Sequence, residues 1–185
     1  MPRKVLAVAF AATFLAALCP ATLLAQADNA AKIASAMSAA PPAISKDATI
    51  IDWPDASGKM ATLRQGTNGW TCIASQPPSG KMVNNSACFD PNFWAMLGSM
   101  FAGKPPAVKG IGYSYMLSND WWEGNTSPTD TVQTPTNDWH HTGSHVMVYY
   151  PDKAALAGLP THPSMTGPYV MWPNTPYAHV MWPVK

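Results

Sequence analysis

Two dipeptide spacings stand out for chemistry. His145-Val-Met147 and His179-Val-Met181 each place an imidazole and a thioether two residues apart. In a β-strand, residues i and i+2 share one face, so each pair projects together. Imidazole and thioether are borderline and soft ligands, and together they suit copper, above all Cu(I). His141 would add a third nitrogen if the chain turns at Thr142-Gly143. The candidate metal set is therefore His145, Met147, His179, Met181 and His141, with copper as the candidate cofactor. The alternative is packing, because methionine is a common core filler. No zinc signature of the Cys2His2 or His-Glu-x-x-His kind is present.

Tryptophan supplies the second candidate. Trp121, Trp122 and Trp139 lie in the otherwise polar stretch 119–142. Exposed aromatic rings serve as platforms for small molecules and cations, so these three form the candidate ligand-binding set. The alternative is that the stretch folds back and the rings plug the core. Acidic residues are interspersed there, but their spacing does not match an EF-hand. Glu123 is the only glutamate in the chain, so a two-carboxylate glycosidase would need an aspartate as its other group. Ser144 beside His145 allows a hydrolase reading, although the Gly-x-Ser-x-Gly elbow is missing.

The setting follows from the N-terminus. Arg3-Lys4, an apolar run over 5–18 and Ala25-Gln26-Ala27 form the pattern of a secretory signal over 1–27, predicting a secreted or periplasmic protein. Without that segment the chain keeps 158 residues, a net charge of −1, all eight tryptophans and two of its three cysteines. In an oxidising compartment Cys72 and Cys88 most simply pair. The near-neutral charge excludes a polybasic nucleic-acid binder. No second apolar run is long enough to span a bilayer.

The elements that must position these residues are short. A helix is expected over 30–40, capped by Asp28 or Asn29 and ended by Pro41-Pro42, so that 28–47 forms an N-terminal helix and proline-rich linker. Strand-like runs cover 48–53, 59–65 and 69–74, most simply as an antiparallel meander. Asp90-Pro91 opens the best helix, with Phe93, Trp94, Leu97, Met100 and Phe101 on one face and Gly103 closing it. Further strands are expected at 110–118, 145–150, 168–172 and 178–184. The stretch 119–142 reads as a long loop. Val170-Met-Trp-Pro173 recurs as Val180-Met-Trp-Pro183, consistent with two edge strands. The predicted fold is one α+β domain over 48–185, with a mostly antiparallel sheet of six or seven short strands, one well-defined helix and one disulfide.

The segments Gly66-Thr-Asn-Gly-Trp-Thr-Cys72, Cys88-Phe-Asp-Pro91, Gly103-Lys-Pro-Pro106, His145-Val-Met-Val148, Gly167-Pro-Tyr-Val-Met-Trp-Pro173 and Thr175-Pro-Tyr-Ala-His-Val-Met181 resemble a family of small exported bacterial proteins. The resemblance implies export and a single domain, and brings no activity or catalytic residues. The expectation is a non-enzymatic ligand-binding or envelope-associated domain whose partner is a small molecule or a metal. A periplasmic copper protein and a small hydrolase using Ser144 or a histidine are the alternatives.

Overall fold

The computed structural model describes residues 20–78 and 83–184. The signal-like segment lies outside the described residues up to position 19, and so do 79–82 of the loop between the cysteines.

Three helices and ten strands form in the order α1 (Pro20–Ser38), α2 (Pro42–Ser45), β1 (Thr49–Ile51), β2 (Thr62–Arg64), β3 (Thr71–Ile73), β4 (Ala87–Phe89), α3 (Pro91–Phe101), β5 (Gly112–Met116), β6 (Trp121–Gly124), β7 (Trp139–Thr142), β8 (His145–Tyr149), β9 (Tyr169–Met171) and β10 (His179–Pro183). Eight strands make one mixed sheet in the order β2-β1-β3-β4-β5-β8-β10-β9, and β6 pairs with β7 separately. The α+β class holds. The strand count exceeds the expected six or seven, because β4 and the β6–β7 hairpin lie in stretches that carry no strand periodicity of their own. The expected meander is also corrected. β1 runs parallel to β3 and antiparallel to β2, so β1 sits between them.

Period-two alternation sorts the side chains onto two faces. Ile50, Cys72 and Cys88 are cross-strand partners on one face, with Ala36 of α1 and Ala39 just after it packed there. α1 extends further toward the N-terminus than expected, so Asp28 lies within it and pairs with Lys32 at 3.0 Å instead of capping it. The opposite face carries Ile51, Ile73, Phe89, Met147 and Met181, and α3 packs across it through Phe93, Met96 and Leu97. Asp90 caps α3 by accepting the Phe93 N–H at 2.7 Å, as its type and position predict. Cys72 and Cys88 form a disulfide between directly opposed positions of β3 and β4.

Gly112 decides how closely α3 approaches. A Cβ there would come within 2.6 Å of the Phe93 backbone nitrogen and 2.9 Å of its Cα. Only a residue without a side chain lets this helix settle on β5.

Candidate functional site: a buried cavity under the β6–β7 hairpin

β5 pairs directly with β8, with Met116 opposite His145. The intervening stretch 117–144 therefore leaves the sheet and returns at the same end. Its two ends are fastened together. The Ser144 hydroxyl donates to the Leu117 carbonyl, and Asn119 Nδ2 donates to the Thr142 carbonyl at 2.6 Å and the Thr142 hydroxyl at 3.0 Å. Between them β6 and β7 form an antiparallel hairpin with Trp121 opposite Thr142 and Glu123 opposite His140. The expected structureless loop is thus a hairpin.

The hairpin is tied to the end of the sheet. His140 Nε2 is 3.0 Å from the Tyr169 hydroxyl. Trp172 donates its backbone N–H to the Asn125 carbonyl at 2.9 Å and its indole N–H to the Gly124 carbonyl at 3.2 Å. Trp172 has φ 53°, a left-handed conformation unusual for a bulky residue. These two hydrogen bonds hold it there, with its ring edge-on to His179 at 5.0 Å between centroids.

A cavity of about 190 Å³ lies between the hairpin, α3 and the sheet face that α3 covers. Its walls are mostly aromatic and thioether groups, among them Trp53, Phe89, Phe93, Trp94, Trp121, Met147, Met171 and Trp172. Five polar side chains also line it: Asn85, Asn119, Glu123, His145 and His179. His145 and His179 are almost fully buried. His145 Nδ1 lies 2.7 Å from the Gly143 carbonyl, and His179 Nδ1 lies 3.0 Å from the Tyr177 carbonyl. A carbonyl only accepts, so each Nδ1 carries the proton and each Nε2 of the neutral ring keeps a lone pair. Burial pushes both imidazoles down to about 4, so both are neutral at physiological pH. Neither Nε2 has a hydrogen-bond partner among the described residues, and neither does Asn119 Oδ1. The Asn119 amide is oriented by the carbonyl that its Nδ2 must meet, which leaves Oδ1 free. The unpaired buried atoms of the cavity-lining residues are therefore all acceptors.

Glu123 is the one carboxyl group in the wall. Its Oε1 accepts the Thr142 hydroxyl at 2.8 Å, completing an Asn119–Thr142–Glu123 chain. Burial raises it to about 7, and the Thr142 hydrogen bond offsets part of that rise. Glu123 is half-buried and lines two cavities. The second of these, about 270 Å³, opens outside the hairpin and is lined by Trp121, Trp122, Trp139, Trp172 and Asp130. All three expected ligand-binding tryptophans meet there, and Trp121 with Glu123 and Trp172 forms the wall shared with the inner cavity.

The five expected metal ligands are divided by the structure. His145 and Met147 share the α3-facing side of β8, and Met181 opposes Met147 directly across the β8–β10 pair. His179 lies on the same face two residues from Met181. His141 is elsewhere, on the outer side of the hairpin, more than two-fifths exposed and bonded to Asp120. Among the described residues no group of three or more His, Cys, Asp or Glu side chains could hold a metal ion. Ser144 has its hydroxyl on a backbone carbonyl, with no histidine nitrogen bonded to it.

Asn119, Trp172 and Phe93 carry no sequence signal as site residues, and Glu123 is marked only as a carboxyl for calcium or glycoside chemistry. One signal pointed to Glu123, the single glutamate of the chain set in a Trp-Trp-Glu run. Nothing local marks Asn119 or Trp172, whose roles arise from contacts more than 20 residues away. No known protein family, curated protein or solved structure matches the chain, so its function is argued from this geometry.

Proposed function

We propose that the protein is an exported, non-enzymatic binding protein for a small, largely apolar molecule that carries hydrogen-bond donors, held in the cavity beneath the β6–β7 hairpin. One observation carries this reading. His145, His179 and Asn119 line an aromatic-walled cavity, and each carries a buried acceptor, Nε2, Nε2 and Oδ1 respectively, with no partner among the described residues. Leaving a buried acceptor unsatisfied costs about 1–3 kcal/mol, and a ligand with donors would recover it. A 150 Å³ apolar cavity already accommodates benzene, so about 190 Å³ suits a ring with one short substituent. The Cys72–Cys88 disulfide supports the exported setting.

Tryptophan fluorescence tests this directly, because Trp53, Trp94, Trp121 and Trp172 line the cavity. Benzyl alcohol is expected to change the emission saturably and to bind more tightly than toluene, which lacks a donor. Leu97→Trp, which fills the cavity from α3, is expected to abolish both responses in protein that remains folded by circular dichroism. Failure of the wild-type protein to bind either compound at millimolar concentration would refute the cavity as a ligand site.

A second reading, a soft-metal site, is favoured by the pairing of Met147 opposite Met181 between two neutral imidazoles with free Nε2 atoms. Competition for Cu(I) against a colorimetric chelator, repeated with His145→Ala and His179→Ala, tests it. No withdrawal of copper from the chelator would reject this second reading.

A further inference from the structure

We propose that the ligand of this cavity is a small primary amine bound as its ammonium ion, with Glu123 as its counter-charge. The inference rests on the cavity reading above and names the ligand class.

Three observations lead to it. The first is the charge of the wall. Glu123 forms no ion pair with any described residue. The titratable groups around it are His140, its cross-strand partner on β7, Tyr169 on β9, Asp130 in the outer cavity, and His145 and His179 in the lining of the inner one. Burial lowers the three histidines, so none brings a positive charge at neutral pH. Tyr169 is raised by burial and by Glu123 itself. Above about pH 7, where this carboxyl is ionised, it has no cation partner among the described residues, and buried charges are ordinarily paired.

The second is the sense of the hydrogen bonds. The unpaired buried atoms of the cavity-lining residues His145, His179 and Asn119 accept and do not donate. An ammonium group is a compact triple donor with no acceptor. A carboxylate or phosphate ligand would meet like charge and bare lone pairs. An alcohol supplies one donor where the wall presents several acceptors.

The third is the aromatic lining. Trp53, Trp94, Trp121 and Trp172 contribute ring surface to the same cavity as the carboxyl group. The face of an indole attracts cations, and more strongly where water is excluded. Carboxylate, neutral acceptors and indole faces each favour the same group, on a body small enough for about 190 Å³.

Calorimetric titration at pH 8, above the value of about 7 for Glu123, tests the assignment with three probes of one size: benzylamine, benzyl alcohol and benzoate. Benzylamine is expected to bind at least tenfold more tightly than benzyl alcohol, and benzoate not to bind measurably. Glu123→Gln is expected to erase the advantage of the amine, bringing benzylamine down to the affinity of benzyl alcohol for the same variant. Thr142→Val, which removes the hydrogen bond that holds the carboxyl's value down, is expected to shift the onset of the amine preference to higher pH. Equal binding of amine and alcohol would overturn the inference and leave the cavity reading standing. No binding of any probe would overturn both. Loss of benzyl alcohol along with benzylamine in Glu123→Gln would make the carboxyl a structural group and overturn the assignment.

Discussion

At the scale of single residues, the chemistry of the site depends on neutral histidines. His145 and His179 titrate near 6.5 in an unfolded chain and are pushed down to about 4 in the folded one. The unfolded state therefore binds more protons between these values. Stability from both residues is complete above about pH 6.5 and is lost as the pH falls toward 4, with a slope of up to about 1.4 kcal/mol per pH unit for each. Glu123 acts in the opposite sense. Its value rises from 4.5 to about 7 on folding, so ionising it as the pH climbs through that window lowers stability. Two histidines outweigh one partly exposed carboxyl. The thermal midpoint is therefore expected to rise from pH 4.5 to 6.5. Glu123→Gln should make the rise steeper and His179→Gln should flatten it. Calorimetric scans across that range check the prediction, and a midpoint that falls with rising pH would contradict the neutral, buried histidines.

At the scale of elements, the cavity exists because α3 and the hairpin rest on the same sheet face. α3 was legible in advance. Asp90, Pro91 and the spacing of Phe93, Leu97 and Met100 are all local signals, and the cap forms as they indicate. The closeness of its approach was not legible, because it depends on Gly112, about 20 residues further along the chain. Gly112→Ala would push a methyl group into the Phe93 backbone, which has no rotamer with which to retreat. We expect a loss of about 1–3 kcal/mol, the usual range for overpacking. The same change should weaken benzyl alcohol binding, since α3 forms one wall of the cavity. Urea denaturation with an unchanged m-value and a lower midpoint is the measurement that checks it. The hairpin was read as a loop because Asn, Thr, Ser and Pro dominate residues 125–137, and its strands are only four residues each. Its position is decided by Trp172 and Tyr169, both far from it in sequence, and by Asn119, which ties its two ends together.

The molecule as a whole is a mixed sheet covered on both faces, with the Cys72–Cys88 disulfide on the α1 side and the cavity on the α3 side. The bridge joins central strands, and Cys88 precedes the α3 cap by two residues. The closed loop spans a separation of 16 residues, for which chain entropy gives about 3 kcal/mol. The double variant Cys72→Ala, Cys88→Ala is accordingly expected to lose about that much stability by urea denaturation. The free protein should show the bridge as a two-dalton mass increase on reduction. Two free thiols in folded, unreduced protein would refute it. No described helix is long and apolar enough to cross a membrane.

The repeated Val-Met-Trp-Pro segments show where local reading stops. They were expected to be edge strands, yet Val170 pairs with Val180 and β10 lies between β8 and β9, leaving only β9 at the edge. Period-two spacing by itself determined that His145 joins Met147, and His179 joins Met181, on one face of a strand. Cysteine count, capping chemistry and alternation likewise act within a few residues, so the disulfide, α3 and most strands could be read from the sequence. Only the tertiary structure decided that β1 runs parallel to β3, that 119–142 folds into a hairpin over the sheet, and that Glu123 lines an aromatic cavity there. Those outcomes depend on which surfaces meet, and a carboxyl group, a lone-pair nitrogen or a tryptophan acquires its chemistry from what covers it.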